Sequence, residues 1–111
     1  MSNRDSVQLK NEAILDRVDA LGGGSVWEPE IFAVTLYDVP ISDADIAPLT
    51  GLRGVQQIAL NAKNLSFSAV EAVACIPDLE SLVLLQPSFS REQLSALRAI
   101  GPDIEVVTDD A

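Results

Sequence analysis

The chain has 111 residues, 48% of them hydrophobic and only 5% aromatic, which suits one domain around an aliphatic core and leaves too little for a second. Its 17 acidic and 7 basic residues give a net charge of −10, shared evenly between the stretches before and after residue 54. Such a field repels phosphate backbones and anionic lipid surfaces, which argues against nucleic-acid and membrane-surface binding, and it attracts a basic partner. The same acidity keeps a small domain soluble.

The opening Met1-Ser2-Asn3-Arg4-Asp5 leads into mixed residues and not an apolar run, and no stretch reaches membrane-spanning length. The expected compartment is the cytoplasm, with no secretory signal and no membrane span. Across residues 6–21, Val7, Ile14, Leu15, Val18 and Leu21 fall at helical spacings, with Glu12, Asp16, Arg17 and Asp19 opposite. This predicts an amphipathic helix. Gly22-Gly23-Gly24-Ser25 ends it and reads as a loop, since glycine accepts the left-handed conformation that closes helices. No Gly-x-x-x-x-Gly-Lys-Ser/Thr pattern accompanies the glycines, so a phosphate loop is not indicated. Trp27, beside Pro29, lies in the connection that follows, as a hydrophobic lid over the next segment or as an anchor for a partner.

From residue 31 onward eight columns recur with a step of 24. Four belong to a strand-like half: Ile31/Val55/Leu79, Val34/Ile58/Leu82, Leu36/Leu60/Leu84 and Ile41/Leu65/Phe89. A serine column, Ser42/Ser66/Ser90, precedes three at helical spacing, Ile46/Val70/Leu94, Leu49/Val73/Leu97 and Leu52/Ile76/Ile100. A strand and a helix per unit, repeated at this length, indicate a solenoid whose stacked units share one core. The units are 31–54, 55–78 and 79–103, and the first helix caps the stack, Leu15, Val18 and Leu21 echoing the helix columns.

Strands are predicted around 33–37, 57–61 and 81–85, with the fourth and sixth residues of each unit inward and the third, fifth and seventh outward. Lying one unit apart in one direction, they form a parallel sheet. The serines begin the return. Ser42-x-x-Asp45 and Ser90-x-x-Gln93 fit a capping box, and Ser68-x-x-Glu71 makes a better box than Ser66, placing the second helix start two residues later. Pro48 predicts a short, partly 3₁₀ first return. Cys75, alone and inside Val70–Ile76, reads as an inert buried thiol. After the third unit the register slips by one, and 104–108 alternates as a fourth and final strand. Asp109-Asp110-Ala111 then guards that edge against unwanted pairing, while a dimer through it stays open.

These columns resemble a leucine-rich repeat of the short bacterial kind, roughly L-x-x-L-x-L-x-x-x-x-I-[ST]-D-x-x-L-x-x-L-x-x-L. The unit from Val34-Thr35-Leu36 through Ile41-Ser42-Asp43 to Leu49 comes closest, and Leu97 to Val106 is similar to the way such arrays close. The resemblance covers residues 31–107. It implies an α/β fold: a right-handed solenoid with a parallel sheet of about four strands and helices on the other face. At the ninth position Val39, Lys63 and Pro87 depart from the family's asparagine, cysteine or threonine, so no asparagine ladder forms there. Family members are mostly protein-binding modules that use the sheet face turned away from the helices, and the resemblance brings no catalytic residue.

Chemistry is poorly supplied. With no histidine and one cysteine, the commonest general base is missing and a structural zinc site is implausible. The serines sit at helix starts, where capping explains them. Asp38, Asp43 and Asp45 are near in sequence but lack calcium-loop spacing, and as helix-start acids they complement the backbone dipole. No cofactor or metal is expected. The outward sheet residues remain: Thr35, Tyr37, Gln57, Asn61, Val83 and Leu85 are the candidate protein-binding set. They predict a non-enzymatic interaction module, in one version an immunity-type inhibitor of a basic toxin or enzyme. The alternative is an assembly protein that self-associates through its sheet face or terminal edge strand.

Overall fold

The computed structural model of the chain describes residues 3–28, 31–37 and 39–107. Its centre is a sheet of five strands lying side by side in chain order: β1 (Gly24–Glu28), β2 (Ile31–Leu36), β3 (Gln57–Asn61), β4 (Ser81–Leu85) and β5 (Asp103–Val107). The fold is α/β, and the sheet is parallel except at β1, which pairs antiparallel with β2. Pairing follows the 24-residue step across the middle, Val34 beside Ile58 beside Leu82 and Leu36 beside Leu60 beside Leu84. All six of these side chains are buried, and the residues between them face the other way. Each fully buried aliphatic side chain contributes about 1.5–3 kcal/mol, so the inward columns set the register.

Behind the sheet run the returns: α2 (Asp43–Ile46) continuing into a 3₁₀ turn at Ala47–Gly51, α3 (Phe67–Ala74) and α4 (Arg91–Ile100). A further 3₁₀ turn occupies Ala62–Asn64, and the N-terminal helix α1 spans Asn3–Ala20. Pro48 does shorten the first return, standing in the opening turn of the 3₁₀ segment, where a missing N–H costs least. Ile46, Leu49, Leu52, Val70, Val73 and Ile76 are all buried against the sheet. In the last return only Leu97 is; Leu94 is half-buried and Ile100 is 36% exposed.

The serine column starts the helices. Asp45 Oδ2 accepts from the Ser42 N–H at 2.9 Å and its hydroxyl at 3.2 Å. Ser90 Oγ accepts from the Gln93 N–H at 3.1 Å while Gln93 Oε1 accepts from the Ser90 N–H at 3.0 Å, a complete capping box. The second return corrects the expectation of a start at Ser68. Ser66 is the cap, accepting from the Ala69 N–H at 3.2 Å, and its own N–H donates to Asp43 Oδ1 at 2.8 Å. Asp43, from the preceding return, holds Ser66 in column, an influence 23 residues away that a local box search does not register.

Two further corrections concern the ends. The parallel sheet of about four strands becomes a mixed sheet of five, because Gly24–Glu28 is a strand and not a loop. Its entrance explains the glycines. Gly22, at φ +94°, closes α1 with its N–H on the Asp19 carbonyl while the Gly23 N–H reaches the Val18 carbonyl, a Schellman ending. A β-carbon on Gly23 would lie 2.5 Å from both the Thr35 carbonyl oxygen and Leu36 Cδ2. Glycine at this point permits close approach of backbone to sheet. At the other end Ser81 pairs with Asp103, a step of 22, so the register shortens by two residues and not one. An even slip preserves facing, and Ile104 is buried below Leu82 in the same row.

Leu15 and Val18 of α1 are buried and Leu21 is half-buried, and α1 packs on β1 and on the 3₁₀ turn, where Ile14 meets Gly51. The helix thus packs on the first return. The Trp27 side chain, Asp38 and the terminal Asp109-Asp110-Ala111 lie outside the described part of the structure.

Candidate protein-binding surface

The period of two that buries Val34 and Leu36 necessarily turns Ala33 and Thr35 to the opposite face, and the register carries this across the sheet. One row reads Thr35, Ala59, Val83, Glu105, and the next Ala33, Gln57, Ser81, Asp103. Asn61, Leu85 and Val107 make a third, and Tyr37 lies one residue beyond β2 at the same end. The structure therefore gathers Thr35, Gln57, Asn61, Val83 and Leu85 on one face, with Tyr37 just past the end of β2. Thr35 and Gln57 are exposed, and Tyr37, Asn61, Val83 and Leu85 are half-buried.

Their engagements differ. Asn61 Nδ2 donates to the Val39 carbonyl at 3.3 Å and its Oδ1 accepts from the Lys63 N–H at 3.2 Å. Both ends of the amide thus serve the fold, tying one turn to the preceding one, and Asn61 offers a partner less than its place suggests. A second bridge runs through Gln56, whose Oε1 accepts from the Phe32 N–H at 3.2 Å while its carbonyl accepts from the N–H groups of Glu80 and Ser81. Two amide side chains, Asn61 and Gln56, thus tie neighbouring turns of the chain together.

Charge is distributed unevenly. From β2 to β4 the outward residues are uncharged, and exposed Asp103 and Glu105 follow on β5. No lysine or arginine belongs to any of the five strands. Glu80 and Asp78, also exposed, stand just before β4, where with Gly54, Gln56 and Leu79 they line a shallow open recess.

Cys75 corrects an expectation: it is exposed, because α3 turns Val70, Val73 and Ala74 toward the sheet and leaves Cys75 at its solvent-side end. Asp43 and Asp45 are occupied in holding the starts of α3 and α2. Among the described residues no three acids or cysteines are placed to hold a metal ion together, and no helix is long and apolar enough to cross a membrane.

Comparison with known proteins adds no relative. No family model matches the chain, no curated protein is similar to it, and no solved structure matches its fold.

Besides the small residues Ala33, Ala59 and Ser81, the face holds residues outside the candidate set on its two end strands: Val26, 48% exposed on β1, and Asp103, Glu105 and Val107 on β5. Val26 stands opposite Ala33 only because the glycine-rich segment pairs. The alternation of 103–107 signalled a strand, but its acids join Val83 and Ser81 only through the 22-residue step.

Proposed function

We propose that the chain is a leucine-rich-repeat-like, right-handed solenoid that acts without catalysis in the cytoplasm, binding a protein partner through the outward face of its sheet. The observation that carries this is the face itself. Half-exposed Val83 and Leu85 share with Ala59, Asn61 and Gln57 of the neighbouring strand, and Thr35 of the next, a sheet face whose opposite side is consumed by the core. An apolar pair rimmed by polar groups, uncovered among the described residues, is the composition of an interaction patch. The charge of −10 favours a basic partner, as an inhibitor of a cationic toxin or enzyme requires, with association slowed by salt.

The test is affinity capture from the native organism with the wild-type chain, Tyr37→Ala and Leu85→Arg. Leu85 lies on the outward face and Tyr37 just beyond the end of β2, and both variants are expected to keep the circular dichroism spectrum of the wild type. A partner retained by the wild type and lost by both variants supports the assignment; capture indifferent to both moves the interface elsewhere.

A further inference from the structure

We propose that β5 is the docking edge, and that it takes an extended polypeptide segment carrying basic residues at alternate positions, added as a sixth strand. The proposal rests on the reading of the chain as a protein-binding module and specifies where and how the partner attaches.

Successive residues of a strand direct their backbone groups to alternate flanks. The Asp103 N–H donates to the Glu80 carbonyl and the Val107 carbonyl accepts from the Gln86 N–H, so 103, 105 and 107 bond toward β4. The N–H and C=O groups of Ile104 and Val106 consequently point to the outer flank, where no strand follows among the described residues. Such an edge is a template for strand addition, the main chain supplying affinity and the side chains selection.

Selection comes from Asp103 and Glu105. Both are exposed on the outward face, one strand spacing of about 4.8 Å from Ser81 and Val83. A strand added to β5 sets its own side chains directly opposite these acids, where opposite charges attract and like charges repel. The aliphatic stem of an incoming lysine or arginine lies along the half-exposed Val107 of β5 while its head meets a carboxylate. A second copy of this chain is the wrong occupant: two β5 strands edge to edge confront carboxylates with carboxylates, under a net charge of −10 on each molecule.

The experiment titrates the full chain with a fluorescent peptide alternating lysine and valine, read by anisotropy. A glutamate-valine peptide and a lysine-valine peptide N-methylated at alternate residues on either edge serve as controls, and sedimentation gives the mass of the free chain. We expect binding of the lysine peptide alone, weakened about tenfold by the D103N/E105Q double substitution, new amide-exchange protection at Ile104 and Val106, and a free monomer. Equal binding of the N-methylated peptides, indifference to D103N/E105Q, or dimerisation through β5 overturns the proposal. Failure here with Leu85→Arg still abolishing capture of the native partner defeats the edge alone; loss of both defeats the sheet-face reading as well.

Discussion

The side-chain amide of Asn11 closes on the backbone of Arg53 at two points, Nδ2 donating to the Arg53 carbonyl at 3.0 Å and Oδ1 accepting from the Arg53 N–H at 3.1 Å. Asn11 is 2% exposed, the buried polar side chain of the described core. It fastens α1 to the turn that follows the first return, 42 residues on, and satisfies a backbone pair that no strand or helix serves.

Asn11→Ala strands both Arg53 groups and should cost about 1–3 kcal/mol by urea denaturation. Asn11→Asp should cost more at neutral pH, since a buried carboxylate then faces the Arg53 carbonyl. Burial and that carbonyl both raise the folded-state pKa of the introduced acid above its unfolded value. The destabilisation relative to wild type is therefore full above the folded pKa and shrinks as pH falls through it, because the protonated acid donates as the amide did. A deficit that grows on acidification would contradict the hydrogen-bond assignment.

Adjacent glycines should respond unequally to alanine. At Gly23 the new β-carbon meets the Thr35 carbonyl oxygen at 2.5 Å, a backbone atom that cannot swing aside, while at Gly24 nothing lies within 4 Å. Gly23→Ala should lose about 2–3 kcal/mol, and Gly24→Ala should lie within about 0.5 kcal/mol of wild type. Comparable chemical-denaturation midpoints for the two would show that β1 does not approach β2 as described.

Gly54 and Asp78, one 24-residue step apart, turn the chain into β3 and β4 with φ values of +80° and +72°. Space is open around Gly54, so the cost of Gly54→Ala is conformational, about 1 kcal/mol. Asp78→Gly should gain about 0.5 kcal/mol and Asp78→Val lose about 1–2 kcal/mol, since only a short polar side chain tolerates this conformation. Thermal unfolding of the three variants orders them; a stabilised Asp78→Val would refute the left-handed turn.

Cys75 should react with a thiol reagent in the folded chain at a rate close to that in denaturant, one equivalent per molecule. Reaction that awaits unfolding would return the thiol to the core.

How much of this is legible without coordinates follows from the range of each interaction. The inward columns, β3 at 57–61, β4 at 81–85, the boxes at Ser42 and Ser90 and the shortened return at Pro48 all arise from neighbours within one turn or one strand. Alternation and capping are local, and a 24-residue step multiplies the signal. Five features were settled only by the fold: the pairing of the glycine-rich β1, the start of α3 at Ser66, the solvent-facing Cys75, the 22-residue step that brings Asp103 and Glu105 beside Ser81 and Val83, and the closure of Asn11 on Arg53. The first, second and last depend on an atom distant in sequence, the Thr35 carbonyl, the Asp43 carboxylate and the Arg53 backbone, whose position no periodicity encodes; the facing of Cys75 follows from where α3 ends, and the 22-residue step from the pairing of β5 with β4. The sequence by itself determined what the core is made of and how its layers repeat; the tertiary structure decided how the ends are closed and which charged side chains border the open face.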